Sequence, residues 1–574
     1  MKKFKNFVLN ILQCNSKKRL VLLLTALAFF LSLLMFPAKL VLAKMLPGKS
    51  DNTISVYVDT PSGSSIEQTN RVSQCVINEF KKEKEVQNIE LFLGQGIPLD
   101  YAGLVKGGSM KRSENVSEIS INLSDKNDRD EPTFLMTQRV RPVVLKACGS
   151  IVKNTSIKFI EQPAGPPTMA SIVVEVHGDD INKIRAISSE AVEILSKTDG
   201  LVDVDTVGDK VFEKYMLVPN KDLVAQSGIT IEQVNNILYL AFEGMVAGSK
   251  NSSDYTDQIP IFLSLDKESR SLSSSNESEV MGRLSSLNLM SPTGATISMS
   301  EVVDIKKVPS SPMIMHKDLS RMINVIAETN MVSQVYPLLD ARTKMIEYFS
   351  TNYTVTKEAG INTYMFDLHL KDKKTGEEFL LRWDGEMKVT LDTFRDLGGA
   401  FISALVLIFL LLVIYYKSFV LSGIVLLGSF LSLVGVIVGH FVADLVTRDT
   451  FFLTATSLIG FIALMGISSR NSLLLIDFAK SLMECHGMKK KEAIAVAAAT
   501  RAKPIILTAV AIILGSALLA SDPIFGGLGV ALISGTVAAV FVSLLFVPIL
   551  MDNAKAMDFE PKECDVNENI SITK

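Results

Sequence analysis

The sequence predicts an α+β membrane protein with six transmembrane helices, one and then five, and a large exoplasmic segment of ferredoxin-like split βαβ subdomains. Three observations support this class. The chain has 574 residues, of which 48% are hydrophobic, a high fraction for a wholly soluble protein. Apolar runs long enough to cross a bilayer occur near the N-terminus and after residue 393. Between these runs, residues 44–392 show the strand and helix periodicities of soluble domains.

The N-terminal 43 residues combine a basic segment with one apolar run. Residues 1–19 mix Lys and Arg with large apolar side chains, which is typical of a cytoplasmic amphipathic helix lying on a membrane surface. A signal-peptide n-region is the alternative. Residues 20–42 are apolar except for Thr25, Ser32 and Lys39, and no convincing cleavage site follows. We therefore predict a retained transmembrane helix over residues 20–43, with the N-terminus in the cytoplasm.

Residues 44–168 predict one complete split βαβ subdomain. Strand-like and helix-like stretches follow one another in the order β-α-β-β-α-β, at residues 56–58, 66–82, 89–93, 118–123, 133–147 and 157–160. A second copy occupies residues 169–210 and 315–392, with its last strand near Tyr353. Residues 211–314 are then an insertion between the two halves of that copy.

Residues 393–552 predict five further transmembrane helices, at residues 397–415, 421–438, 454–478, 504–520 and 528–551. The loop of residues 480–503 is rich in Lys and Arg, so it is predicted to be cytoplasmic. The loop of residues 439–452 contains one such residue, Arg448, and is predicted to lie outside. Both termini are then cytoplasmic. The tail of residues 553–574 is acidic and polar, which predicts disorder.

Composition argues against several functional classes. The formal net charge is −3, and no basic patch interleaved with aromatic residues occurs, so nucleic-acid binding is not predicted. The sequence contains no Ser/His/Asp set, phosphate-binding Gly-Lys-Ser/Thr loop or paired catalytic carboxylates. We therefore predict neither an enzyme nor a bound cofactor.

Cysteine and methionine spacing does not favour a metal site. The five cysteines show no CxxC or Cys/His spacing. Cys75 and Cys148 are the two in the exoplasmic segment, and the sequence leaves open whether they form a disulfide. Met313, Met315 and His316 offer thioether and imidazole groups that suit monovalent copper. They alternate along one strand, however, and Met more often fills cores, so core packing is the favoured interpretation.

The candidate functional residues lie on the third and fourth of the five helices. Arg470 lies within the apolar run of residues 454–478. A guanidinium in hydrocarbon costs roughly 2.5–3.5 kcal/mol on insertion scales, so it requires a protein interior or a wet cavity. Asp477, seven residues later, falls within about 20° on the same helix face. Arg501 and Thr508 repeat that spacing on the next helix. Two neighbouring helices with this composition are typical of an ion or proton relay.

Each of these residues also has a structural interpretation. Arg470 could extend its side chain to the membrane interface, although its mid-span position favours function. Asn471, directly after it, could pack as a hydrogen-bonding residue between helices. Arg501 could be a cytoplasmic anchor, and Thr508 could bond back to its own helix. Asp477 could be a solvated helix end.

A series of motifs resembles the C-terminal half of a resistance-nodulation-division (RND) efflux permease of the acriflavine-resistance type. They occur in the family's order, at residues 44–47 (KMLP), 58–63 (VDTPSG), 165–167 (GPP), 382–386 (RWDGE), 394–398 (FRDLG), 466–478, 501–504 (RAKP) and 522–528 (DPIFGGL). The resemblance covers about residues 20–552.

The resemblance implies a proton-driven exporter of the bacterial inner membrane with its large domain in the periplasm. Members of the family work as trimers with a periplasmic adaptor and an outer-membrane channel. The split βαβ subdomains correspond to the porter and the insertion to a docking domain. In this family a basic residue, usually lysine, meets an aspartate pair on the fourth span. By motif position the basic residue is Arg470, followed by Asn471, and its companions on the next helix are Arg501 and Thr508. Asp477 is a further candidate.

Two departures from the family shape the functional hypothesis. Arginine in place of lysine keeps the charge of residue 470 but cannot lose its proton. The aspartate pair belongs to a second, homologous half. We therefore expect a half-permease that needs an N-terminal-half partner chain carrying those aspartates. The alternatives are a truncated, non-transporting remnant or interaction protein, and a half-size transporter that dimerises with itself.

Overall fold

The protein is described here as a computed structural model, which covers residues 2–45, 50–98, 101–106, 111–126, 128–161, 168–207, 211–266, 277–330, 333–360, 362, 364–447, 451–522 and 524–561. The chain divides into two compact units, Met1–Gly208 with Ile314–Lys574 and Asp209–Met313. Some stretches singled out from the sequence lie outside the described residues, namely residues 46–47 and 165–167 of the motifs, Arg448, Pro523 and the tail after residue 561.

Two helices form the N-terminus, α1 (Lys2–Gln13) and α2 (Asn15–Leu34). The second ends eight residues before the predicted limit of the apolar run, because Pro37 lacks a backbone N–H and disfavours a helical conformation at the residue before it. The chain then turns, and Leu40 N donates to Met35 O at 2.9 Å. The predicted helix over residues 20–43 is thus shorter and begins earlier, although its 20 residues still extend about 30 Å.

Helix α1 packs against other helices of the protein, while the predicted position of residues 1–19 on a membrane surface stays a prediction. Val8, Ile11 and Leu12 are buried in the same apolar cluster as residues of the membrane-type helices described below. Lys18, at the start of α2, is also buried, and it forms an ion pair with Asp552 near the C-terminus. The apolar face of α1 therefore packs against protein.

The first α/β subdomain is an antiparallel sheet of four strands packed against two helices. Its strands are β1 (Thr53–Asp59), β2 (Val86–Gln95), β3 (Arg112–Leu123) and β4 (Ser156–Ile160). The two packed helices are α3 (Ile66–Phe80) and α5 (Thr133–Cys148), and a short α4 (Tyr101–Lys106) lies between β2 and β3 in the chain. The strand order is β2-β3-β1-β4, which is that of a split βαβ fold. Ser65 caps α3 by a reciprocal bond with Gln68.

A disulfide joins Cys75 of α3 to Cys148 at the end of α5. Cys148 is fully buried in the core of this subdomain, between residues of the sheet and of both helices. The pairing that the sequence left open is therefore formed in the structure.

The second subdomain is a seven-stranded sheet with two helices. Its elements in chain order are β5 (Ile172–Gly178), α6 (Ile181–Ser196), β6 (Leu201–Val207), β13 (Met315–Lys317), β14 (Ser320–Thr329), α11 (Val335–Phe349), β15 (Tyr353–Lys357), β16 (Leu368–Asp372) and β17 (Glu378–Asp384). The main path is β13-β14-β5-β17-β16-β15, and β6 also pairs with β14.

The strand near Tyr353 does not close this copy in the way that the sequence predicted. It lies at the edge of the sheet, and β17 takes the place beside β5. The hairpin of β16 and β17 was missed because the alternating Leu368–Asp372 pattern follows a loop and was not separated from it. The RWDGE motif is thus the end of a central strand, with Trp383 buried.

The second compact unit, Asp209–Met313, has its own apolar core. It contains β7 (Glu213–Pro219), α7 (Lys221–Gln226), α8 (Ile231–Phe242), β8 (Met245–Lys250), β9 (Ile259–Leu263), α9 (Glu277–Ser286), β10 (Asn288–Met290), β11 (Thr296–Ser298), α10 (Met299–Val302) and β12 (Val303–Pro309). Strands β7 and β12 pair with each other at the two ends of the unit.

Among the described residues, five helical segments are long and apolar enough to cross a membrane, which confirms the predicted number of such helices in the C-terminal part of the chain, although the first begins at Glu386. They are α12 (Glu386–Tyr416), the pair α13 (Phe419–Phe430) and α14 (Leu433–Thr447), α15 (Ala455–Glu484), α16 (Lys490–Ala520), and the pair α17 (Gly526–Phe541) and α18 (Val547–Asn553), which a π-helical turn connects.

Two predicted boundaries in this region are corrected. The loop predicted over residues 480–503 is shorter in the structure, because α15 continues to Glu484 and α16 begins at Lys490 and runs through Pro504. Its first turns bury Ala493, Ile494 and Ala497 against the bundle, and alanine is the best helix former. The predicted disorder of the tail does not hold for its first residues, since Ala554 and Met557 are buried and Lys490 Nζ donates to Ala554 O at 2.6 Å.

Glycine allows the closest helix contacts in the bundle. A Cβ added at Gly435 of α14 would lie 2.5 Å from both Ser534 O and the Cβ of Ala538 on α17. A Cβ added at Gly423 of α13 would meet nothing within 4 Å. Helices in lipid associate through such small residues.

We expect Gly435→Ala to destabilise the bundle, because backbone Ser534 O cannot move aside. Overpacking of this kind costs about 1–3 kcal/mol. Thermal unfolding of the chain in lipid nanodiscs measures the effect, and Gly423→Ala is the matched control. Equal melting temperatures for the two variants would contradict this packing.

Candidate functional site

Helix α15 presents one polar, buried face and one exposed face. Thr454 caps it by a reciprocal bond with Ser457. Its buried face carries Ser468, Ser469, Asn471 and Ser472. The exposed stripe runs along the other side, through Ile459, Ala463, Gly466, Arg470 and Leu474. We refer to these last five residues as the α15 stripe.

Arg470 lies in the middle of the α15 stripe and is exposed. Within the described part of the chain it forms no ion pair or hydrogen bond. Its guanidinium therefore does not face the interior of this chain, and its predicted role in a relay stays a prediction. The small Ala463 and Gly466 lie beside it, and Leu474 is 39% exposed. A cation on the apolar face of a membrane helix is costly unless it faces protein or a wet cavity.

Asp477 does not pair with Arg470, although both lie on the same side of α15. It is half-buried, and its Oδ2 accepts a hydrogen bond from Tyr415 OH of α12 at 3.1 Å. The neighbouring Tyr416 OH donates to Leu473 O at 3.3 Å. The contact between Tyr415 of α12 and the Asp477 carboxylate was not predicted, because the sequence placed Tyr415 at the end of a transmembrane helix and gave it no partner.

Arg501 of α16 is half-buried and lies over the ring of Phe478, 4.8 Å from its centroid. Its Nε is buried and has no hydrogen-bond acceptor among the described residues. Thr508 is exposed, and its Oγ1 donates to Pro504 O at 3.1 Å and Ile505 O at 3.0 Å. The structural interpretation of Thr508, a bond back to its own helix, therefore holds in this chain.

The structure thus brings the five predicted residues onto two adjoining helices without connecting them. Asn471 is buried and points away from the α15 stripe. Next to it, Ser469 Oγ lies 2.9 Å from Ser429 Oγ of α13. Two cations remain without a carboxylate partner in the described residues.

A second group of buried polar side chains, around His440, was not predicted from the sequence. His440 of α14 is fully buried, with Nδ1 2.8 Å from Val436 O and Nε2 2.8 Å from Ser457 Oγ. Thr454 Oγ1 extends the group, 2.9 Å from Ser457 Oγ. A histidine within an apolar run was the available signal.

Buried charges join the first and second subdomains. Arg141 of α5 donates to Asp203 Oδ2 at 3.0 Å, and both side chains are buried. Lys158 of β4 pairs with Asp59 at 2.9 Å and with Asp205 of the second subdomain at 2.6 Å. Burial alone would raise the pKa of Asp59, but Lys158 and Lys111 outweigh it and hold that pKa below its usual value. These pairs link residues far apart in sequence, so no local pattern predicts them.

Glu161 carries the clearest pH prediction in this cluster. Burial raises the pKa of its carboxyl, against the opposing charges of Arg141 and Lys44, and Glu328 and Lys106 lie nearby. Above the raised pKa the folded state must hold a charge that the unfolded chain carries more easily. Below the usual value of 4.5 the carboxyl is neutral in both states. We therefore expect Glu161→Gln to raise the melting temperature near pH 8 and to have no such effect near pH 4.

Melting curves recorded across this pH range test the Glu161 prediction. The exposed Glu347→Gln provides a charge-matched control that separates burial from the change in net charge. An increase in the melting temperature of Glu161→Gln that is equally large at pH 4 would contradict the prediction.

Among the described residues, no group of three or more His, Cys, Asp or Glu side chains could hold a metal ion. Met315 and His316 lie on β13, and Met313 is 75% exposed at the end of the other unit.

The sequence matches one protein family over nearly its whole length. The AcrB/AcrD/AcrF family matches at residues 2–356 and 365–552. The swarming motility protein SwrC of Bacillus subtilis (strain 168) is 22% identical over 529 residues, which are 90% of this chain and 44% of that protein.

Solved structures support the same fold. Two crystal forms of a heavy metal efflux pump each give a TM-score of 0.68 at 17% identity. They cover 95% and 96% of this chain and 51% of theirs. The chain thus spans about half the length of the relatives it matches. Because the family match extends over both the α/β subdomains and the apolar helices, this chain belongs to the AcrB/AcrD/AcrF family of RND permeases.

Proposed function

We propose that this chain is the C-terminal half of a proton-driven RND exporter and works with a second chain that supplies the aspartate pair. The observation that carries the proposal is the position of Arg470 on the exposed α15 stripe without a partner among the described residues. The unpaired Nε of Arg501 adds a second cation on the adjoining helix. A partner helix packed on the α15 stripe would bring the missing carboxylates.

Proton movement would act on the partner's carboxylates. Arg470 and Arg501 stay charged in the working pH range, so the attraction between the two halves changes when a carboxylate takes up a proton. In a low-dielectric site this change is large compared with thermal energy. Asn471 and Asp477 lie on the same helix as Arg470, and Thr508 lies on the same helix as Arg501, and we include all three in the proposed relay. The resulting helix shift would move the α/β subdomains as rigid bodies.

The second compact unit, Asp209–Met313, supports the proposal of a trimer that binds an adaptor and an outer-membrane channel. Its hairpin of β8 and β9 is exposed along both strands, with Val246, Ile261 and Phe262 each more than half exposed. A two-stranded ribbon is marginally stable in water by itself, and exposed apolar edges are usually covered in an assembly. A neighbouring copy of the permease is the proposed occupant.

The proposed location is the bacterial inner membrane, with the α/β subdomains in the periplasm and both termini in the cytoplasm. The disulfide between Cys75 and Cys148 supports an oxidising compartment for the first subdomain. The helix over Asn15–Leu34 would be a sixth span, since Leu23, Phe30 and Leu34 on it are exposed.

Affinity purification of the tagged chain from its own cells, followed by native mass measurement, tests the proposal. We expect a second polypeptide with six apolar spans and an aspartate pair in the fourth. Masses that are multiples of this chain alone would instead indicate a self-dimerising transporter, and a monomer would indicate a remnant or interaction protein.

A further inference from the structure

Helix α12 connects the second sheet directly to the far end of the membrane bundle. Gly385 alone separates β17 from α12. The first turn of α12 is tied to the start of β5, since Glu386 N donates to Ala170 O at 3.0 Å and Met387 N donates to Ser171 O at 3.1 Å. The helix has 31 residues and therefore extends about 46 Å.

The junction between β17 and α12 is rigid. Gly385 has a φ of 85°, and a Cβ there would lie 2.6 Å from Ala170 O. Met387 and Thr390 in the first turns are buried. A displacement of α12 along its length is therefore passed to β17 and its neighbour β5.

The other end of α12 is held to α15 by two tyrosines. Tyr415 donates to the Asp477 carboxylate at 3.1 Å, and Tyr416 donates to Leu473 O at 3.3 Å. The two rings pack edge to face, with centroids 5.0 Å apart. Leu473 and Asp477 follow Arg470 within two turns of the same helix.

Apolar contacts also hold this half of α12. Leu412 is buried in the same cluster as Leu475 of α15, and Ile408 packs against that cluster, although many side chains from residue 402 onward are exposed. Higher up, Phe401 contacts Phe461 of α15 at 5.2 Å between centroids. The hydrogen bonds from Tyr415 and Tyr416 are polar ties between the two helices in addition to these apolar and ring contacts.

We propose that Asp477 and Tyr415 are positioning residues that couple the cation-bearing helix α15 to the second sheet through α12. The inference rests on the proposed function for the source of the movement, a charge change opposite Arg470. Asp477 acts here as the hydrogen-bond acceptor of Tyr415. When α15 shifts, Tyr415 carries α12 with it, and β17 and β5 follow.

A double-mutant cycle in lipid nanodiscs measures the tie itself. We expect Tyr415→Phe and Asp477→Ala each to lower the melting temperature by a few degrees, and the double variant to lower it no further. Asp477→Asn keeps an acceptor oxygen and is expected to retain stability. Ser403→Ala is the control, because Ser403 Oγ donates to Gly399 O of its own helix at 2.9 Å. Additive effects of Tyr415→Phe and Asp477→Ala would overturn the inference.

Amide hydrogen exchange of β5 measures whether a movement of α15 reaches the second sheet through α12. A purely structural role of Tyr415 would not alter how β5 exchange responds to changes at Arg470. In the complex with the proposed partner chain, Arg470→Ala is expected to alter exchange of Ile172–Gly178 by about fivefold. That response should weaken in the Tyr415→Phe background, disappear when Tyr416→Phe is added, and persist with Asp477→Asn. A response unchanged by Tyr415→Phe, or no response in the native background, would overturn the coupling. The double-mutant cycle needs only this chain, so it tests the tie between Tyr415 and Asp477 even if the purification experiment finds no partner and the proposed function fails.

Discussion

Replacing Arg470 with alanine is expected to abolish export by the complex of this chain with its proposed partner chain. The variant removes the cation that the partner's carboxylates require, and an uncompensated charge in a buried pair costs about 3–5 kcal/mol. By the usual relation between free energy and rate, export should fall at least about a hundredfold. Drug susceptibility of cells without other exporters measures the loss.

Two controls make the Arg470 result specific. Arg470→Lys keeps the charge and places there the residue that the family usually has, so we expect it to retain export. The melting temperature of the chain alone should not fall in Arg470→Ala, because Arg470 has no partner among the described residues. Unchanged export in Arg470→Ala would remove this residue from the mechanism.

Removing the disulfide of the first subdomain is expected to have the second large effect. Cys75 and Cys148 are 73 residues apart. Closing a loop of that length lowers the entropy of the unfolded chain and contributes about 4 kcal/mol. The paired variant Cys75→Ser with Cys148→Ser should therefore melt at a markedly lower temperature, and α3 and α5 should become accessible to protease.

The free thiol Cys14 provides the matched control for the disulfide. Cys14→Ser removes a cysteine outside the first subdomain and is expected to leave its protease resistance unchanged. An equal loss in both variants would contradict a specific role of the bond between Cys75 and Cys148.

The helices and strands were predicted best where local patterns are strong. Apolar and polar residues alternate along β3, and apolar residues recur with the helical period along α3, so both patterns can be recognised from residues close together in the sequence. The hairpin of β16 and β17 was missed because which strand lies beside β5 depends on sheet pairing, and Tyr353 offered an equally plausible strand nearby. The start of α16 was placed too late because the charged residues before Pro504 suggested a loop.

The candidate site was predicted in part. The sequence identified Arg470, Arg501 and Asp477, since charges within apolar runs are conspicuous. It did not show which of them meet. Asp477 binds Tyr415 across 62 residues of sequence, and Arg470 lies on a free face. Contacts between separate helices depend on how the helices rotate and pack.

The sequence by itself determined that the chain has long apolar helices and an α/β segment between them, and it indicated the RND family. Hydropathy and periodicity are properties of neighbouring residues, so they can be recognised in the sequence without a structure. Only the tertiary structure decided that Arg470 is exposed, that Cys75 meets Cys148, and that α12 ties β17 to Asp477. These depend on residues far apart in the chain, whose positions are fixed only when the elements pack together.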